Sequence, residues 1–231
     1  MAKDDNAPAD TTIMGIVHHA LRRDLNRLHE TLTTDMVDSS DDTRREAIAA
    51  HVEWMMDFLH HHHLGEDEGL WPLLFDRAPQ ARVLLERMKA DHQRVVPAMA
   101  EVSAVAQRYR TEGSEPARLG LVNALDNLSE SLLPHLRSEE DEAMLLASAN
   151  LTKAEWKAWD RKYNIKGKPF TRLGLEAHWT MDGLDPDRYQ VLVQLVPAPV
   201  RVILVRGFGK SYRTACALRW GADVAVQPLA S

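Results

Sequence analysis

Six residues of the chain, His18, His62, Glu66, His92, His135 and Glu139, are of the types that ligate metal ions. His62 with Glu66, and His135 with Glu139, are each four residues apart, about one turn or ~6 Å of rise on one helix face. A neutral imidazole and a carboxylate at that spacing can both bind one metal centre. Two such pairs with two further histidines suit two ions, each with nitrogen ligands and bridged by carboxylates. Imidazole with carboxylate suits iron, manganese or zinc, and two bridging carboxylates favour iron or manganese. The plainer alternative is a hydrogen-bonded polar layer that holds no metal. For one histidine alone that is the commoner arrangement; for six residues with two His-x-x-x-Glu pairs the metal reading is stronger.

The elements that must position these residues are legible as four apolar stripes. The first holds Met14, His18, Leu21, Leu25, Leu28 and Leu32; the second holds Ile48, Val52, Met55, Leu59, His62 and Glu66. The third holds Leu85, Met88, His92, Val95, Met99, Val102 and Ala106; the fourth holds Leu121, Leu125, Leu128, Leu132, His135 and Glu139. Steps of three and four alternate throughout, which is the core-facing seam of packed helices. The breaks agree: Asp38-Ser39-Ser40-Asp41-Asp42 offers N-caps, Arg77-Ala78-Pro79 interrupts, and Gly113 precedes Pro116. Short connections favour antiparallel neighbours, so the expected fold is all-α, an up-down-up-down four-helix bundle. Pro97, inside the third stripe, is expected to kink that helix just after His92.

Polar residues on a buried seam are costly unless satisfied. In an antiparallel hairpin, residues at one level lie symmetrically about the turn. The midpoint of His18 and His62 falls at residue 40, that of His62 and His92 at 77, and that of His92 and His135 beside Gly113. All three lie in expected turns, so the six polar residues should meet in one layer.

Other residues read more plainly. The rings of His60, His61, His62 and His63 point in four directions about 100° apart on a helix, so they cannot all share one site. His62 is on the stripe with His63 beside it, while His60 and His61 are expected to be solvated or to support the site from outside. His18 is on the stripe and His19 is not. His29 and His51 also have their midpoint at residue 40, so they are expected to face each other as a surface or boundary pair. Arg22, one turn from His18, can pair with a carboxylate near the site. Trp54, Phe58, Trp71 and Phe75 can shield it or simply pack. The acidic run Glu139 to Glu142 contains one candidate ligand and is otherwise expected to be solvated.

Composition bounds the rest. The chain has 231 residues, is 6% aromatic and has 11 each of Gly and Pro, which suits helices better than a β-sandwich. Residues 1–165 carry 19 Lys and Arg against 29 Asp and Glu, and residues 166–231 carry nine against five. An acidic first part argues against nucleic acid as a partner. No apolar run is long enough for a membrane span, MAKDDNAPADTTIM shows no signal peptide, and one cysteine, Cys216, leans toward a reducing compartment. A cytoplasmic protein is expected, with Cys216 buried and inert. In the C-terminal third, Thr152 should cap a short helix, Asp185-Pro186 should start another, and Val200 to Val205 is open between helix and strand.

Taken together, VHHALRRDL, LHHHHLGEDEGLWPLL, KADHQRVV and LLPHLRSEEDEAML resemble the hemerythrin family in its bacterial hemerythrin-like form, over about three fifths of the chain. The resemblance implies a non-haem di-iron centre that binds O₂, peroxide or nitric oxide for sensing, storage or detoxification, with iron ahead of manganese and zinc. It implies a metal-binding bundle over 12–147 and a mainly helical extension over 148–231 that covers the bundle. The sequence departs from the full oxygen-carrier pattern, because Met88 and Val96 stand where a second third-helix histidine would sit. One iron is then short of a nitrogen unless His63, Glu140 or water supplies a ligand, which favours peroxide or nitric oxide chemistry over reversible oxygen carriage. A di-iron peroxidase or catalase-like enzyme, and a module whose partner docking is controlled by metal, are the alternatives.

Overall fold

A computed structural model describes residues 5–34, 41–195 and 198–221. The four stripes form α1 (Thr12–Thr33), α2 (Asp42–Gly65), α4 (Arg82–Glu112) and α5 (Glu115–Ser138), with the short α3 (Trp71–Arg77) closing the end of α2. Among the described residues there is no strand beyond one isolated bridge between Pro8 and Thr152. Asp41 caps α2 by accepting from Arg44 N–H, and Ser114 caps α5 by accepting from Ala117 N–H. Gly113 ends α4 in the left-handed region, φ 58°, where a Cβ would be strained. Asp38 to Ser40, the rest of the first expected break, lie outside the described residues. Pro97 sits inside an unbroken α4, its lost hydrogen bond not ending the helix.

The apolar part of the stripes is buried as two clusters with the polar residues between them. Leu21 to Leu32, Ile48 to Leu59, Val95 to Ala106 and Leu121 to Leu132 supply the larger cluster. Met14, Leu70, Leu85, Met88 and Ala143 belong to the other, together with Trp71, Trp156 and Trp159. On every helix of the bundle the chain crosses from one cluster to the other at the histidine level.

The C-terminal third is helical: α6 (Met144–Asn150), α7 (Lys153–Asp160), α8 (Phe170–Met181), α9 (Pro186–Leu195) and α10 (Ala198–Trp220). Thr152 and Glu155 form the reciprocal cap of α7, and residues 200–205 lie within α10, so the strand alternative is overturned. α8 packs on α1, and α10 packs on α8 and α2. Trp179, Tyr212, Cys216 and Trp220 complete the larger apolar cluster. Residues 7–9 run beside 151–153 through backbone bonds, which ties the N-terminus to the start of this region.

Candidate metal centre

His18, His62, Glu66, His92, His135 and Glu139 all reach the one layer between the two clusters, and all are buried. Two groups of donors form. His18 and His62 bring their Nε2 atoms to 3.3 Å, next to Glu139. His63, His92 and His135 form the second group. A separation near 3 Å is what two nitrogens bound to one ion at about 2.1 Å require.

The carboxylates stand between these groups. Glu66 has Oε1 3.2 Å from His62 Nε2 and Oε2 3.4 Å from His92 Nε2. Glu139 has Oε2 3.4 Å from His18 Nε2 and 3.6 Å from His135 Nε2. Each acid therefore touches both histidine groups. Each also opens a π-helical turn, Glu66–Leu70 and Glu139–Ala143, and the Glu66 N–H bonds to the carbonyls of both His62 and His63. The turn that inserts one residue after each His-x-x-x-Glu pair is a feature that recurs at functional sites.

The layer is not a self-satisfied polar core. Both oxygens of Glu66 and Glu139, both ring nitrogens of His63 and His135, and Nε2 of His92 are buried without a hydrogen-bond partner. Unpaired buried polar atoms are rare because each costs about 1–3 kcal/mol. Burial drives the Glu66 carboxyl well above its ordinary value, reinforced by Glu139, and raises Glu139 as well. Burial also pushes His62 and His63 well below the ordinary imidazole value and His135 down to about 3, with neighbouring histidines adding to the effect. Two repelling acids facing neutral imidazoles with free lone pairs is a donor set that fits cations, which would relieve the repulsion and satisfy the lone pairs together.

Outer carboxylates orient the rings. Glu140 Oε1 accepts from His18 Nδ1 at 2.8 Å and from Arg22 at 2.7 Å, which leaves His18 Nε2 facing inward. Burial alone would raise the Glu140 carboxyl, but His18 and Arg22 outweigh it and hold it low. Asp67 Oδ1 accepts from His92 Nδ1 at 3.0 Å. Such partners fix the tautomer and orientation of ligating histidines. Phe58 lies parallel to His62 at 6.2 Å between centroids, and Trp71 leans on His92 at 6.3 Å.

Several expectations change on this geometry. His63, one of the three sources named for a further ligand, is buried in the layer and stacks on His92. Glu140 is half-buried and outside both donor groups, and it meets His18 Nδ1. His29 and His51 do not pair: exposed His29 meets Asp126 at 2.9 Å, while buried His51 meets Asp24 at 2.7 Å. Phe75 packs against the apolar cluster that holds Met14, Leu85 and Trp71, one of the two outcomes expected of it. His60 and His61 are exposed, as read. Asp67 beside His92, and Asp91 with Oδ2 3.8 Å from His135 Nδ1, have no signal in the stripe pattern, since both residues flank it.

A family model described as the hemerythrin HHE cation binding domain matches residues 11–147, more than half of the chain. No curated protein and no solved structure matches the chain.

Proposed function

The chain belongs to the hemerythrin HHE cation-binding family, and from that premise we propose a non-haem di-iron protein that binds O₂, peroxide or nitric oxide. The observation that carries this reading is the placement of Glu66 and Glu139, each in contact with both histidine groups. His63, His92 and His135 would hold one ion, His18 and His62 the other, with the two acids bridging. Mixed imidazole and carboxylate ligation suits iron ahead of manganese and zinc. A bound iron pair supplies the redox and Lewis-acid chemistry. The protein's part is to hold neutral imidazoles, orient them through Glu140 and Asp67, and exclude bulk water with Phe58 and Trp71.

The division of nitrogens, three against two, leaves the His18–His62 side with fewer protein ligands. A cavity of about 200 Å³ reaches His62 on that side, walled by Met14, Val17, Phe58, Trp159 and Lys168. Open coordination beside a cavity supports small-ligand binding, and it favours peroxide or nitric oxide turnover as the second reading. No helix among the described residues is long and apolar enough to cross a membrane. The test is to load the protein with ferrous iron without air, oxidise it, and add azide. A visible absorption band that shifts with azide is expected; an iron-loaded protein whose spectrum ignores azide contradicts an open position.

A further inference from the structure

Away from the metal layer, α2, α8 and α10 enclose a groove of about 300 Å³. Ala47 and Ala50 of α2 and Ala215 of α10 leave the space, since longer side chains there would fill it. Trp54, Trp179 and Tyr212 wall it, and the two indoles stand edge-on with ring centroids 5.0 Å apart. Leu175 and Leu218 also line it and are exposed, so the groove opens to solvent. Aromatic and aliphatic walls with few polar groups are the usual make-up of a site for a small organic ligand.

The two polar residues of the lining differ in what they have to offer. His51 is committed elsewhere: its Nε2–H donates to Asp24 Oδ2 at 2.7 Å, and its ring lies on Trp54 at 5.5 Å, 17° from parallel. It adds a flat ring to the groove and no charge, because burial holds it below the ordinary imidazole value. Arg219 is charged and poorly paired. Its Nη2 meets the Cys216 sulfur at 3.5 Å, a weak acceptor, and its Nε is buried without a hydrogen-bond partner. Its guanidinium carbon lies 5.4 Å from the Trp220 ring centroid, and among the described residues no carboxylate pairs with it. Arg44 Nε donates to the Arg219 carbonyl at 3.2 Å, which brings a second cation to the same end of the groove. A buried donor left unpaired is costly, and a planar carboxylate is the group that a guanidinium fork matches.

We infer that this groove binds a small aromatic monocarboxylate, one or two rings wide, with its rings against Trp54 and Trp179 and its carboxylate on Arg219. An uncharged aromatic would leave the Arg219 Nε unpaired, and an aliphatic acid would forgo the ring walls. The ligand would touch α2, α8 and α10 at once, and so fasten the C-terminal helices to the bundle. Binding to the folded chain alone then raises its stability by mass action. None of the six metal-layer residues lines the groove, so the site does not depend on the di-iron reading.

The experiment is isothermal titration calorimetry of naphthoate, and of its neutral amide, into the full chain before and after iron loading. One naphthoate per chain is expected, bound at least tenfold more tightly than the amide and equally well with or without iron. Arg219→Gln is expected to bring naphthoate down to the affinity of the amide and to leave the amide's own affinity unchanged. Ala50→Phe, at an exposed position of α2, is expected to block both ligands. It should also abolish the rise in unfolding temperature that naphthoate gives the parent protein. A parent chain that binds no naphthoate at millimolar concentration overturns the site. So does equal affinity for acid and amide, or naphthoate binding that survives Ala50→Phe or is untouched by Arg219→Gln. Binding that appears only after iron loading puts the carboxylate on the metal and overturns the groove as its place. If Arg219→Gln does not fold, the contrast of acid with amide on the parent and the result for Ala50→Phe still decide.

Discussion

His63 and His92 stack face to face, ring centroids 4.0 Å apart and planes 10° from parallel, although they belong to different helices. His135 completes their group at 4.7 Å from His92 and 5.3 Å from His63. The stack means that α2 contributes two adjacent histidines to the layer, His62 toward α1 and His63 toward α4. The group of three histidines is then reached with His92 alone from α4. His63→Ala should lower bound metal from two ions per chain to about one, whereas exposed His61→Ala should leave two, as read by elemental analysis of the purified variants.

Glu140 acts on the centre through His18. Removing a group that orients a ligating histidine typically weakens metal binding about 10–100-fold without removing a ligand. Glu140→Gln should show that loss in a competition titration against a chelator, and still reach the parent stoichiometry at saturating metal. A loss of one full ion would instead make Glu140 a ligand.

Asp24 governs the acid side of stability. Burial by itself would raise its carboxyl, but the hydrogen bond from His51 and the charge of Arg23 outweigh burial and hold it well below the ordinary range. A folded value below the unfolded one gives stabilisation that is present above about pH 4 and lost as pH falls below it. Burial also lowers His51, so protonation below about pH 6.5 favours the unfolded chain. Both effects have the same sign. Asp24→Asn should cost about 3–5 kcal/mol at neutral pH and flatten the decline in acid, measured by urea unfolding across pH 3–7 (roughly the span between these two groups).

Two glycines separate close approach from open space. A Cβ on Gly69, in the π-helical turn after Glu66, would run into Tyr163 and lie 2.8 Å from Trp159 Cδ1. Gly69→Ala should destabilise by about 1–3 kcal/mol through overpacking and loosen the contact between that turn and residues 159–163. Gly15, in α1, has nothing within 4 Å of such a Cβ. Gly15→Ala should stabilise by about 0.5–1 kcal/mol, and thermal unfolding of the two variants should move in opposite directions.

The four helices and the level of the polar layer were legible because a buried helix face repeats every three or four residues. Leu25, Val52, Met99 and Leu128 could not be read otherwise. The same rule left His63 only one of three possible further ligands, because a stripe assigns one face to each helix and α2 presents two, toward α1 and toward α4. Asp67, and the contact of Glu140 with His18, were hidden for a related reason: both acids flank the stripe and gain their role only when a ring from another element arrives beside them. The pairing expected between His29 and His51 failed because symmetry about a turn sets height alone. Asp24, on the inner side of α1, and the indole of Trp179 claimed His51 instead. No periodicity in residues 148–231 foretold that contact.

The most direct measurement is native mass spectrometry of the ferrous-loaded chain beside Glu66→Ala and Glu139→Ala. Two irons on the parent chain, and one or none on each variant, is the predicted result. A parent chain that carries no iron, or variants that still carry two, would contradict the idea that these two acids join a pair of ions.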